Sequence, residues 1–272
     1  MSGRAARGSA VNAGAGRGAP LLVFDIGMFD GADTAYYLEA AGHRVVAVEA
    51  NPALVEAARE RFAAPLAEGR LPLVHAAVSH DGAPVTLTLS GADLGSSSTM
   101  VTEAWLAAKR PAGRVTVPGT TLGALIAAHG LPDYLKVDIE GADRLVVLAL
   151  SAAQRPPYLS FEMGDDVDEL VAHAAAVGYR RFKLVNQLSF RELANQEALR
   201  DRLVLRLLRE LGYDEPRLVR RAGRFFVVGH SSGPVPWRGD GRWWSAAEVR
   251  ARLAAARDAG ALRGWYDIHA AD

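Results

Sequence analysis

The sequence predicts an α/β fold: a doubly wound, mostly parallel sheet of seven strands with helices on both faces, Rossmann-like in layout. Three observations predict it. Short apolar runs alternate with helical stretches along most of the 272 residues, the pattern of a parallel sheet. The first run ends in a glycine turn, Asp25-Ile26-Gly27-Met28-Phe29-Asp30-Gly31, and the second ends in an acid, Glu49. Hydrophobic residues make up 50% of the chain, enough to fill one large core, and the length suits a single domain with extensions.

The predicted elements follow in order. Residues 21–26 form a buried strand, and 32–41 a helix stopped by Gly42. Residues 44–48 form the second strand. Asn51 suits an N-cap and Pro52 the first helical position of a helix reaching residue 64. Residues 71–78 give the third strand, and 84–89 an added hairpin strand. A Gly/Ser loop covers 91–99, and a short strand 114–117. Thr120 or Thr121 caps a helix running to His129. Core strands follow at 134–139, 158–161 and 181–185, with helices at 143–150 and 165–177. Residues 192–211 read as an inserted helical region, and 225–228 as the last strand. Residues 1–19 are expected to be a disordered tail, 20–230 the domain, and 231–272 an extension packed on it through Trp237, Trp243, Trp244 and Trp265.

Charge and composition exclude several classes. Lys and Arg number 31, as do Asp and Glu, so no basic field invites nucleic acid. There is no cysteine, which removes disulfides, thiolate zinc sites and cysteine nucleophiles and suits the cytoplasm. No apolar run approaches the roughly 20 residues that span a bilayer, so no membrane partner is expected. The histidines lack metal-helix spacing, and no G-x-S-x-G elbow is present. His43, beside Gly42 at a helix end, reads as a cation suited to the dipole.

Two constellations carry chemistry. Glycine lets a chain turn sharply while its backbone approaches a ligand, and ligands of doubly wound sheets sit at the carboxyl ends of the strands. Gly27 and Gly31 are placed there. Asp25 could attract an ammonium group or orient the loop. Glu49, one strand away, can accept the hydroxyls of a ribose. Ribose is common to NAD and S-adenosylmethionine. The spacing of Gly27 and Gly31 departs from the G-x-G-x-x-G that a pyrophosphate requires. That weighs against an NAD(P)-dependent oxidoreductase without removing it. The second constellation is Leu135-Lys136-Val137-Asp138-Ile139-Glu140-Gly141. Charges at the end of a buried strand are expensive unless paired or functional.

The ordered series of Asp25-Ile26-Gly27, Val48-Glu49-Ala50-Asn51-Pro52, Thr121-Leu122 and Leu135-Lys136-Val137-Asp138-Ile139-Glu140-Gly141-Ala142 resembles the FkbM family of methyltransferases. Tyr158-Leu159-Ser160-Phe161-Glu162, Phe182-Lys183-Leu184-Val185-Asn186-Gln187 and Gly264-Trp265-Tyr266-Asp267-Ile268-His269-Ala270 look like a subgroup of it. The resemblance implies a class I methyltransferase fold, S-adenosylmethionine as cofactor, and transfer to a hydroxyl oxygen of a small-molecule acceptor, commonly a natural product or sugar. On this reading the cofactor residues are Asp25, Gly27, Gly31, Thr34, Glu49, Ala50, Asn51 and Asp138, with Ala76 and Ala77 near the adenine. The catalytic candidates are Asp138, Glu140 and Glu162. Asp138, Glu162 and Asn186 could together admit Mg²⁺, but a carboxylate base without metal is favoured. Two departures stand out: Met28-Phe29 replaces a more polar pair, and Gly123 stands where the family often has an acid. The first lends some support to a methyltransferase-like binding protein without catalysis. A homo-oligomer is compatible with the sequence.

Overall fold

The computed structural model describes residues 19–40, 42–90, 97–98, 111–139, 141–192, 218–258 and 266–272. Most of the expected tail, most of the 91–99 loop, and all of the 192–211 helical region beyond Glu192 lie outside the described residues, as do Glu140, Gly264 and Trp265.

In chain order the first half contains β1 (Leu22–Ile26), α1 (Ala32–Ala35), β2 (Arg44–Glu49), α2 (Pro52–Arg61), α3 (Ala63–Ala67), β3 (Leu73–His75), β4 (Ala77–Val78), β5 (Val85–Ser90), β6 (Ser97–Ser98), β7 (Pro111–Val117), β8 (Gly119–Thr120) and α4 (Leu122–His129). The second half contains β9 (Tyr134–Val137), α5 (Asp143–Val147), β10 (Tyr158–Glu162), α6 (Val167–Val177), β11 (Arg181–Asn186), β12 (Arg191–Glu192), β13 (Leu218–Arg221), β14 (Arg224–Val227), α7 (Ala246–Asp258) and β15 (Tyr266–Ala271).

The main sheet has eight strands in the order β12-β11-β15-β10-β9-β1-β2-β3. Strands β3, β2, β1, β9 and β10 run parallel, while β15 is antiparallel to both β10 and β11. The fold class is the expected one. The extra strand over the seven expected is the two-residue edge strand β12. Residues 224–227 form a separate hairpin with β13, not the sheet's last strand. That place belongs to β15, so the chain beyond residue 230 does not merely lie on the sheet. The residues Tyr266, Ile268, Ala270 and Ala271 of this strand are buried on both sides.

Local chemistry explains most of the elements. The Asn51 side chain accepts the Ala53 N–H at 3.0 Å, with Pro52 first in α2. Thr121 caps α4 through the Ala124 N–H at 3.1 Å. The helix expected from Ala32 is α-helical only to Ala35 and widens into a π-helical turn over Tyr36–Ala40. Both neighbouring tyrosines are buried there: Tyr36 stands edge-on to Phe226 at 5.0 Å and Tyr37 edge-on to Tyr134 at 5.8 Å. Burial works against the cation expected at His43: it lowers the side chain's pKa, and the Nδ1 accepts the Leu21 N–H at 3.3 Å.

Hydrophobic packing covers the two faces of the sheet. On one, Phe24, Ile26, Leu135, Val137, Leu159 and Phe161 meet α4, α5, α6 and α7. On the other, Val23, Val45, Tyr134 and Tyr158 meet Tyr37, Phe190, Val235 and Trp237. Trp237, Trp243 and Trp244 are engaged, while the fourth tryptophan of the extension lies outside the described residues. The Trp237 ring lies 4.7 Å from that of Tyr158, Trp244 exchanges backbone hydrogen bonds with Phe182, and the Lys183 Nζ stands 4.4 Å above Trp243. Among the described residues, no helix is long and apolar enough to cross a membrane.

Candidate functional site

The carboxyl ends of β1, β2, β9 and β10 open on one edge of the sheet. The turn after β1 is held by backbone bonds: Gly27 and Met28 donate to Val48 O at 3.0 and 3.1 Å. Gly27 adopts φ +84°, and a Cβ there would lie 1.8 Å from the Asp138 carbonyl oxygen. The turn after β1 and the turn after β9 are thus in backbone contact, which only glycine permits. Gly31 also has positive φ and faces the Phe62 ring.

Glu49 ties the second strand to this turn. Its Oε2 accepts the Phe29 N–H at 2.8 Å, and its Oε1 accepts the Ala50 and Asn51 N–H groups at 2.9 and 2.8 Å. Burial raises its pKa while these three donors oppose the rise. A carboxylate has about four acceptor positions, so one position on Oε2 is left for a ligand hydroxyl. Phe29 sits at φ +55°, a left-handed conformation that favours short polar side chains over an aromatic one. The departure at Met28-Phe29 therefore divides in two. Met28 enters the core, while Phe29 accepts backbone strain and meets the His230 ring at 5.6 Å.

Lys136 is the electrostatic centre. Its side chain is almost fully buried, with Nζ 3.1 Å from Asp25, 3.6 Å from Asp33 and 3.6 Å from Asp138. It also donates to Gly27 O at 3.3 Å. Burial works against its charge, but the surrounding acids outweigh it and hold the pKa well above the usual lysine value. Asp25 and Thr34 are both fully buried, and Thr34 Oγ1 donates to Asp25 at 2.6 Å. Of the two roles that the sequence left open for Asp25, orienting the loop is the one this arrangement supplies. Asn51 is likewise buried as a cap. Ala76 follows β3 and donates its N–H to Glu49 O at 3.1 Å, and Ala77 donates to Pro118 O at 2.9 Å. Both alanines thus stand at the same strand ends as Glu49.

Asp138 is the exposed acid of the group, its side chain 47% accessible at the end of β9. Glu162 ends β10 and is half-buried. Three acids escaped the sequence reading. Asp33 accepts hydrogen bonds from Ser231 Oγ and from Ser232 N, and burial raises its pKa to about 6 although Lys136 opposes the rise. Asp143 accepts the Ile139 N–H at 3.0 Å, and burial with the Asp138 charge raises its pKa to about 7. Asp267 is buried on β15 beside Glu162. Asp33 and Asp143 read from sequence as ordinary first-turn acids of helices. Asp267 sat within a quoted motif without a role.

Asn186, a ligand in the expected Mg²⁺ set, is committed elsewhere: its Oδ1 accepts from Leu188 N, Ser189 N and Ser189 Oγ at 3.0, 3.0 and 3.2 Å. Among the described residues no three His, Asp or Glu side chains stand close enough to hold a metal ion.

A glycine turn after β1, a buried acid at the end of β2 and an exposed acid at the end of β9 are the features expected of a Rossmann-like methyltransferase. The family described as Methyltransferase FkbM domain matches residues 25–213, and the chain belongs to it. Its cofactor is S-adenosylmethionine, and the oxidoreductase reading is set aside. No curated protein matches the chain. Among solved structures it is similar to a precorrin-6y C5,15-methyltransferase from Geobacter metallireducens, at 16% identity and TM-score 0.35, over 61% of this chain and 66% of that one. It is similar to a methyltransferase from Thiobacillus denitrificans in complex with S-adenosylhomocysteine, at 15% identity and TM-score 0.34, over 93% and 86% of the two chains. A counterpart from Geobacter sulfurreducens, with the same ligand, gives 14% identity, TM-score 0.34, and coverage of 93% and 83%.

The free acceptor position on Glu49 and the backbone turn at Gly27 fit a nucleoside bearing an amino acid group. Glu49→Gln keeps the shape but removes the charge that strengthens a hydroxyl bond. Loss of such a bond costs about 1.5–3 kcal/mol, so calorimetry should show S-adenosylmethionine bound roughly tenfold or more weakly. Unchanged affinity in a folded variant would remove Glu49 from the ribose site.

Proposed function

We propose that this protein transfers the methyl group of S-adenosylmethionine to a hydroxyl oxygen of a small-molecule acceptor, a natural product or a sugar. One observation carries the reading: the exposed carboxylate of Asp138 stands at the end of β9, on the turn whose backbone touches the Gly27 turn. The proton acceptor and the donor's turn are therefore adjacent.

The chain's own residues divide the work. Asp25, Thr34 and Lys136 hold the glycine turn from beneath. Glu49 takes a ribose hydroxyl, and Gly27, Gly31 and Ala50 leave room for the donor. The bound donor supplies an electrophilic methyl carbon on a sulfonium. Lys136 Nζ stands 3.6 Å from the Asp138 carboxylate and anchors it at the end of β9. Asp138 then accepts the hydrogen bond of the acceptor hydroxyl and takes its proton as methyl transfer proceeds. Holding the hydroxyl in line with the methyl carbon contributes roughly 7–11 kcal/mol in well-oriented cases. Glu162 is the second carboxylate of this edge.

The unit that carries the activity is residues 20–272, since β15 completes the sheet. We place it in the cytoplasm, as suits a chain without cysteine. A homo-oligomer would cover Leu218 and Phe225, which stand 61% and 67% exposed on the β13–β14 hairpin.

The test is turnover with a panel of hydroxylated sugars, phenols and polyols, read as S-adenosylhomocysteine formed and one methyl gained. Asp138→Asn should lower kcat by about 10²–10⁴. Exhaustive EDTA treatment should leave turnover intact. Activity lost in EDTA and restored by Mg²⁺ would revive the metal reading. Donor binding with no turnover across the panel is what a non-catalytic binding protein would show.

A further inference from the structure

The glycine turn is gripped from outside by a strap far along the chain, His230 to Ser232, which follows β14. The strap's contacts fall on Phe29, Asp30 and Asp33. His230 Nδ1 bonds the Asp30 carboxylate at 2.7 Å, the His230 ring meets the Phe29 ring at 5.6 Å, and Ser231 Oγ and Ser232 N donate to Asp33. Asp30 is itself fixed: its Oδ1 accepts the Ala32 N–H at 3.0 Å, and its carbonyl oxygen accepts from Arg61 at 2.6 Å. The strap is fixed as well. The His230 N–H donates to Val227 O at 3.2 Å, and Ser232 is buried. Gly233 packs so closely on Phe190 that a Cβ would lie 2.6 Å from its ring.

Phe29 needs such a grip. Its φ of +55° lies in the left-handed region, which a bulky aromatic residue avoids because its Cβ crowds the backbone. Yet this conformation aims the Phe29 N–H at Glu49 Oε2, 2.8 Å away. The bond takes one acceptor position of that oxygen and leaves the other for a ribose hydroxyl. A Phe29 relaxed to negative φ would turn its N–H away, and Glu49 would lose the donor that orients it. The Phe29 ring is half-buried, and His230 is the ring that meets it. Aromatic pairs favour a definite mutual placement, so the contact holds the backbone where it would not otherwise stay.

We propose that His230 is a positioning residue for the cofactor: it holds Phe29 in its left-handed conformation, and through the Phe29 N–H it fixes the Glu49 carboxylate that takes the ribose. This rests on the placement of the ribose at Glu49 proposed above. His230 acts through two residues of the turn, not on the reacting atoms. S-adenosylmethionine and S-adenosylhomocysteine share the ribose, so both ligands depend on His230 to the same degree. The bond of Nδ1 to Asp30 aims the imidazole, and the ring contact carries the effect.

The experiment is calorimetry of the full chain with S-adenosylmethionine and with S-adenosylhomocysteine. His230→Ala should weaken both ligands by the same factor, about twofold to tenfold, the worth of one aromatic contact. His230→Phe keeps a ring against Phe29 and should recover most of that factor. His230→Gln keeps a polar group for Asp30 but no ring, and should not. In a Phe29→Gly background, where the left-handed backbone carries no penalty, His230→Ala should lower neither affinity further. The His230 and Asp30 side chains are 40% and 36% exposed, and exposed pairs add little to global stability, so the variants should fold; urea denaturation checks this. Unchanged affinity in His230→Ala, recovery by Gln and not by Phe, or the same loss repeated in the Phe29→Gly background overturns the proposal, while weakened binding in Glu49→Gln leaves the cofactor site standing. A Glu49→Gln protein that binds both ligands as tightly as the wild type overturns the ribose site and the proposal with it.

Discussion

Gly27→Ala should cost about 3 kcal/mol or more of folding stability, through backbone strain and steric overlap together. The added Cβ would meet the Asp138 carbonyl oxygen at 1.8 Å and its carbon at 2.7 Å. Both are backbone atoms at the end of a central strand, so no side-chain rotation relieves the contact. Gly42→Ala is the control. Gly42 also has positive φ, at +64°, but nothing lies within 4 Å of its Cβ position. It should lose only the conformational cost of about 1–2 kcal/mol. Urea denaturation with a common slope measures both. A Gly27→Ala protein as stable as the control would mean that the turns after β1 and β9 can part without penalty.

Lys136→Met should cost about 3–5 kcal/mol near neutral pH, because it leaves buried acids without their cation. The loss should shrink on acidification. Asp33 shows why. Its folded pKa is about 6, above the ordinary 3.8 of an aspartate, even with Lys136 pulling it down. An acid raised on folding contributes stability that is full below its unfolded pKa and lost as pH rises through its folded one. Without the lysine that folded pKa climbs further. Asp143, at about 7, has the same sign but exists in both proteins. The variant should therefore gain more than the wild type between about pH 7.5 and about pH 5. Equal deficits at the two pH values would show that Lys136 is not what keeps these acids charged.

The parts of this molecule that were legible in its sequence are those written in local chemistry. The Asn51-Pro52 start of α2, the Thr121 cap, the apolar runs of β1, β2, β9 and β10, and the glycine turn each depend on neighbours a few residues away. The rest depends on partners far along the chain. Asp33 reads as a first-turn helix acid, yet its hydrogen bonds come from Ser231 and Ser232, 198 and 199 residues later. Residues 225–228 look like a core strand because they are apolar, but Phe225 is 67% exposed on a hairpin. The strand that does enter the sheet carries Asp267 and His269 in its middle, a pattern that argues against burial until its neighbours are known. Asp25 was legible as a functional position, but not its full burial, which is set by Lys136 and Thr34 closing over it.

The position of β15 also dictates an order of assembly. Strands β10 and β11 do not pair with each other; β15 lies between them and pairs with both. A nascent chain that has emerged as far as β14 therefore holds two open strand edges, one on β10 and one on β11. Neither can close until residues 266–271 have left the ribosome. Open edges invite pairing with other chains, and contacts between distant segments form slowly. The hazard during synthesis is thus concentrated in one interval, between the emergence of β11 and that of β15, and chaperone demand should peak there.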